Sequence, residues 1–290
     1  MAIGSLITAS DYNVIQSKVG TVLGNGVGQS GYGQVLNSSQ VPITKTIEAN
    51  DMESLKLDTV KAYAHQTGAL PVLPTVVVGD EIPYSVYQTY SAVADSVYDN
   101  KNAIDIATQA SVENKISSAR STIWGGGSTI QQLNHEVAVT FANTDARRHF
   151  FNAGGEIRFA ESIINGTGAK TSEWVSMFTA MATVKFSYNA TSASSGTGSS
   201  IGNFNLTSAY QTIFLKYGTG TYSDNYILIK AKGDQTSNIV TFMIELFDGV
   251  ANLYDEAING TLTSSVSQLR PTGIYVSVPT PTYANLTTIS

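Results

Sequence analysis

The side chains that could do chemistry in this chain are few and scattered. The three histidines, His65, His135 and His149, share no H-x-x-x-H or H-E-x-x-H spacing. A metal site would need the fold to bring them together with a carboxylate. His65 is expected to cap the end of its helix and His149 to pack on a short one. Asp95 and Asp99 stand one helical turn apart, and Asp248, Asp255 and Glu256 flank a turn. Paired carboxylates can do acid–base work or hold Ca²⁺, but no EF-hand pattern surrounds these. A solvated helix face and an acidic turn are the plainer readings. Gly26-Val27-Gly28-Gln29-Ser30-Gly31 matches G-x-G-x-x-G letter for letter. That fingerprint aims amides at a pyrophosphate only between a strand and a helix. Here a helix precedes it and Pro42 follows, so the glycines read as a linker or as backbone contact with a neighbouring subunit. There is no P-loop, no G-x-S-x-G in a triad order, and no cysteine for thiol chemistry or disulfides. No catalytic, cofactor-binding or metal residue is assigned.

The elements that must carry these residues fall into two sets. Ile7-Thr8-Ala9-Ser10-Asp11 and Ile47-Glu48-Ala49-Asn50-Asp51 each open an amphipathic helix. In the first, Thr8 or Ser10 caps, Ile15, Val19 and Val22 form the apolar stripe, and Gly24 stops it. In the second, Leu55, Leu57, Val60, Tyr63 and Ala64 form the buried side, and Gly68 stops it. A third helix follows Pro83, with Val86, Tyr90, Val93 and Val97 on one face. It is expected to resume through Ile104, Val112 and Ile116 until Trp124-Gly125-Gly126-Gly127 ends the helical region. After the glycines the apolar period becomes two, at 137–141, 184–188, 227–231 and 274–278, while 239–247 is apolar on nearly every position. Short helices are expected near 145–152 and 173–182. The fold class is therefore α+β: a helical region over 1–127, then a mostly antiparallel β-sandwich over 128–290 with short helical insertions.

Composition narrows the function. The chain has 290 residues, a formal net charge of −6, and only 13% charged residues, about half the usual ~25%. No Lys/Arg cluster exceeds Arg147-Arg148, so the basic footprint of a nucleic-acid binder is missing. The first residues lack a basic n-region and the apolar runs are too short to span a bilayer. The expectation is a soluble protein made in a cytoplasm, with no cofactor and no membrane insertion. Strand edges are usually guarded by charge. A strand-rich chain with this little charge is expected to have its edges covered by partners. Fifteen tyrosines are many for this length, and Tyr is a common interface residue. Tyr32, Tyr87, Tyr90, Tyr98 and Trp124 are the interface candidates.

One segment, Phe150-Phe151-Asn152-Ala153-Gly154-Gly155-Glu156-Ile157-Arg158-Phe159, is distinctive. It reads as a helix end, a glycine pair supplying positive φ, and the start of a strand. It resembles a segment of virion structural proteins from large contractile-tailed (T4-like) phages of marine bacteria and cyanobacteria. The resemblance extends to 6–13, Gly31-Tyr32-Gly33-Gln34, His65-Gln66-Thr67-Gly68, 206–212 and Pro281-Thr282-Tyr283. It implies a non-enzymatic structural protein of the virion, made in the host cytoplasm, homo-oligomeric, and bound to its own copies and to other virion proteins. The tail or neck (collar, tube or sheath accessory, fibre attachment) is the favoured position. The alternatives are a receptor-binding fibre module gripping host glycan through exposed tyrosines, and a capsid decoration. A virion-borne glycan hydrolase would need two carboxylates facing one cleft.

Overall fold

A computed structural model describes residues 7–127, 131–249 and 256–290; Leu6 and Asp255 lie outside them. The chain is α+β, and its contacts divide it into two compact units. The first comprises 1–111 with 145–154 and 270–279; the second comprises 112–144, 155–269 and 280–290. The division therefore falls near Ser111, ahead of the triple glycine, and two later segments return to the first unit.

In the first unit, helices α1 (Ala9–Leu23), α2 (Ala49–Thr67) and α3 (Tyr84–Asp99) pack together. Thr8 caps α1, its hydroxyl accepting from the Asp11 amide while Asp11 accepts from the Thr8 amide. Glu48 and Asp51 form the same reciprocal box at α2, so both expected starts are present. Tyr12, Ile15 and Val19 of α1 close onto Met52 and Leu55 of α2 and onto Tyr90 and Ala94 of α3. The face of α2 differs from expectation. Leu57 is exposed, and the buried side carries Asp58, Thr59, His65 and Gln66 beside Leu55 and Ala62. Polar residues occupy that face because each finds a partner: the Asp58 carboxylate accepts the Asn37 and Ser38 amides at 2.8–3.0 Å, and the Thr59 hydroxyl donates to the Leu55 carbonyl of its own helix.

The helix expected to run on to Ile116 does not form. Only a four-residue α4 (Ile106–Gln109) follows α3, and strand β1 (Ala110–Arg120) takes its place. Sheet pairing with a distant strand overrides the weak local period there. The expected strand at 274–278 is also absent; it holds one isolated bridge, Thr272 to Ser277, and Ile274 projects outward.

The second unit is a sandwich of two antiparallel five-stranded sheets. One sheet has the order β1–β9–β3–β4–β5, with β3 (Glu156–Ile164), β4 (Val184–Phe186), β5 (Thr191–Ser192) and β9 (Thr261–Pro271). The other has the order β10–β2–β8–β7–β6, with β2 (Gln132–Thr140), β6 (Gln211–Tyr217), β7 (Tyr226–Lys232), β8 (Ile239–Phe247) and β10 (Thr282–Thr287). As expected from its unbroken apolar run, β8 is central. Phe242 meets Phe159 and Phe186 across the interior, with centroids 5.0 and 5.1 Å apart. Burying each such ring is worth about 1.5–3 kcal/mol. Helix α5 (Thr144–Asn152) links β2 to β3, and α6 (Ala169–Met181) packs on β3 through the face that holds Trp174, Phe178 and Met181.

A few contacts of the chain itself join the sandwich edges. On one side Thr191 bridges to Ser199 and Thr197 bridges to Leu215, joining β5 to β6. On the other, Asn285 Nδ2 donates to the Ser117 carbonyl and the Ile289 amide donates to Ser118 Oγ, tying β10 and the chain after it to β1.

Candidate functional site

Three of the distinctive segments, far apart in sequence, meet inside the first unit. The glycine loop after α1 uses positive φ at Gly26, Gly28, Gly31 and Gly33. Its curl is held by α5: Arg148 Nη1 donates to the carbonyls of Asn25 (2.6 Å) and Ser30 (2.8 Å), and Asn152 Nδ2 donates to the Gly28 carbonyl (3.2 Å). His149 Nε2 lies 3.0 Å from the Asn25 carbonyl. Tyr32, at the loop's end, stands edge-on to His65 at 4.9 Å and accepts from Gln66 Nε2. His65 Nε2 donates to the Ala153 carbonyl at 2.9 Å. The G-x-G-x-x-G stretch is therefore occupied by its own protein: the carbonyls it presents are bound by arginine, histidine and asparagine.

Burial sets the protonation of this joint. His65 is pushed down to about 4 by burial, against the raising effect of its bond to Ala153. His149 is lowered first by burial, with Arg148 adding to it and Asn25 and Asp145 opposing. Burial also raises the Tyr32 hydroxyl far above its usual value. A neutral His65 holding its proton on Nε2 is a structural donor. The expected helix cap at His65 is replaced by this longer-range bond.

The third histidine lies in the sandwich. His135 of β2 faces inward with Leu133, Val137 and Val139. Its Nδ1 is 2.8 Å from Ser264 Oγ of β9, which is 3.0 Å from Glu161 Oε1 of β3. Its Nε2 is 2.8 Å from Asn285 Oδ1 of β10. Four strands of both sheets thus contribute one residue each to a polar line through the core. Ser, His and an acid in contact invite comparison with a hydrolase triad, but here the hydroxyl itself touches the acid and sits between it and the imidazole. Ser264 is fully buried, so a substrate carbonyl has no approach to its oxygen.

A second buried charge cluster lies near the triple glycine. Lys170 Nζ and Asp248 Oδ2 are 2.7 Å apart with both side chains wholly buried, and the Gly126 amide donates to the same oxygen. Positive φ at Gly125 and Gly126 allows this approach; a Cβ on Gly125 would overlap the Asp248 carboxylate. Trp124 bridges to Ile258 and stands 5.0 Å from Trp174. These glycines form a close-contact turn within the second unit.

Of the interface candidates, Tyr32, Tyr90 and Trp124 are interior, at 0–1% exposure, which corrects their expected place on the surface. Their size and apolar bodies suit a core as well as an interface. Tyr87 is half-buried and stacked on Tyr84; Tyr98 is exposed, with Lys101 Nζ 4.6 Å from its ring centre. Sequence reading missed Ser264 and Glu161 as partners of His135, because only strand pairing brings these residues together. Among the described residues no group of three His, Cys, Asp or Glu side chains is placed to hold a metal ion, and no helix is long and apolar enough to cross a membrane. No protein-family model, no curated protein and no solved structure matches the chain.

Proposed function

We propose that the chain is a non-enzymatic structural protein of a contractile-tailed phage particle, placed in the tail or neck. The observation that carries this reading is where the distinctive segments go. Gly31–Gln34, His65–Gly68 and Phe150–Gly154 supply the donors, acceptors and rings of one buried joint. Residues that elsewhere would be suspected of chemistry are spent here on holding a loop against two helices. Such use suits a protein whose task is to present a fixed shape to its neighbours. The low charge of the surface suits close apposition of copies, since Ser, Thr and Asn solvate without repelling. The accessible pair Tyr87 and Tyr98 are the aromatic contacts this reading retains.

The test is a cryo-EM reconstruction of the intact particle. A ring of copies at the tail or neck supports the proposal. A chain absent from the purified particle overturns it. A distal position, with saturable binding to host glycan, makes it a receptor-binding module instead.

A further inference from the structure

The polar line Glu161–Ser264–His135–Asn285 has a proton count that its geometry determines. Asn285 Nδ2 donates to the Ser117 carbonyl at 3.3 Å, which leaves Oδ1 facing His135 Nε2. Turning the amide over would set its oxygen against that carbonyl. Nε2 must therefore carry a hydrogen. Ser264 has one hydroxyl proton and two buried neighbours, His135 Nδ1 and Glu161 Oε1, at hydrogen-bond distance. If the hydroxyl donates to Nδ1, the acid must bring a proton of its own to the Ser264 oxygen. If it donates to a carboxylate, Nδ1 must carry the second imidazole proton. An ionised glutamate beside a neutral histidine leaves one of these close contacts without a hydrogen.

We infer that Glu161, Ser264 and His135 form a proton-binding site in the sandwich core, holding one proton more than an ionised glutamate and a neutral histidine. The favoured arrangement is the uncharged one, in which every hydrogen points one way: Glu161 to Ser264, Ser264 to His135, His135 to Asn285, Asn285 to Ser117. Moving the acid's proton to Ser264 as the serine proton moves to Nδ1 gives the charge-separated form without changing the total. Burial favours the uncharged form, raising the Glu161 carboxyl well above its usual range and lowering His135.

The groups around the line do not supply a competing charge. Along its own sheet His135 is flanked by Ile244 of β8 and by β10. Glu136 meets Tyr210 and Thr287, and Glu245 meets Tyr226 and Lys230. On the facing sheet Arg158 pairs with Glu156, and Glu113 is bound to Lys115 and Gln268. Arg120 of β1 lies against the carbonyls of Ile123 and Ile289, and Arg270 of β9 donates to the Val278 carbonyl. From α6, Lys170 is taken by Asp248 and Glu173 accepts from Thr219.

The consequence is a sandwich whose stability is coupled to pH. Counted beyond an ionised glutamate and a neutral histidine, an unfolded chain above about pH 6.5 holds no extra proton while the folded one holds one. Folding then takes up a proton, and rising pH opposes it. Below about pH 4.5 the unfolded chain holds two extra protons and acid opposes folding. This site contributes most to stability between those limits.

The direct test is nitrogen-15 and carbon-13 NMR of the full chain at neutral pH. A neutral His135 with its proton on Nε2, beside a protonated Glu161, is the expected result; an imidazolium beside a carboxylate also satisfies the count. A neutral imidazole beside an ionised Glu161 overturns the inference. An independent test compares the folding equilibrium of the wild type with Glu161→Gln, whose amide donates to Ser264 without titrating. Their ratio is expected to shift against the wild type about tenfold per pH unit between roughly pH 5 and 7. A ratio flat in pH overturns the inference. If the variant fails to fold, the wild-type spectra decide alone.

Discussion

The His149 ring occupies the space a side chain on Gly33 would need: a Cβ built there overlaps the imidazole, and Gly33 sits at φ +71°. Two independent demands, a left-handed backbone and a ring packed on the α-carbon, therefore meet at one residue. The glycine loop is shaped by what binds it.

Gly33→Ala should be destabilising on both counts, by about 2–4 kcal/mol in chemical denaturation. Gly28→Ala separates them. Gly28 is also left-handed, at φ +54°, but no atom lies within 4 Å of its added Cβ, so a loss of only about 1 kcal/mol is expected. Equal losses at the two sites would show that the His149 contact contributes nothing.

Asp58 holds the 37–38 turn by accepting from two backbone amides and two side chains while wholly buried. Asp58→Ala strands those donors and should cost about 3–5 kcal/mol. Limited proteolysis of the variant should cut near Asn37 sooner than in the wild type. Unchanged stability would mean that water replaces the carboxylate without penalty.

Lys170 and Asp248 are a buried pair whose halves depend on each other. Lys170→Met should cost about 3–5 kcal/mol, since it leaves a buried carboxylate with one charged partner fewer. Adding Asp248→Asn removes that charge but keeps an acceptor for the Gly126 amide, so the double variant should be more stable than Lys170→Met alone. A double-mutant cycle with no coupling would exclude this dependence.

His65 makes the first unit sensitive to acid. Its folded value, about 4, lies below the ordinary 6.5, so its contribution is complete above pH 6.5 and is lost as pH falls toward 4. The fall corresponds to about 3 kcal/mol across that window. Urea titrations at pH 7 and pH 4.5 should show it in the wild type. They should show less of it in His65→Gln, whose amide can still donate to the Ala153 carbonyl. An equal fall in both proteins would assign the acid sensitivity to other groups.

Where local pattern and burial agree, the element can be read from the residues alone. The capped helices α1 and α2, the helical face at Tyr90 and Val97, the short helix holding Trp174 and Phe178, and the strands around Val137, Ile229 and Phe242 are all legible. In α1, α3 and the strands around Val137 and Ile229 apolar residues repeat at the period of the structure they form; α2 is legible from its start signal and β8 from its unbroken apolar run. The α+β class follows from these alone.

Tertiary structure decided the rest, and for one reason. Hydrophobic period marks a buried face only when that face is apolar. Strand β9 places Ser264 and Gln268 in the core beside Leu262 and Val266, so its alternation is half polar and escapes notice. The buried side of α2 carries Asp58, His65 and Gln66 for the same cause. These residues are tolerated inside because partners far away in sequence satisfy them: Ser264 is 129 residues from His135 and 103 from Glu161. The triple glycine likewise reads as the end of the helical region, and only the fold sets Asp248 against it. Composition can state that such groups exist; only the fold, by bringing donor to acceptor, decides which of them may be buried.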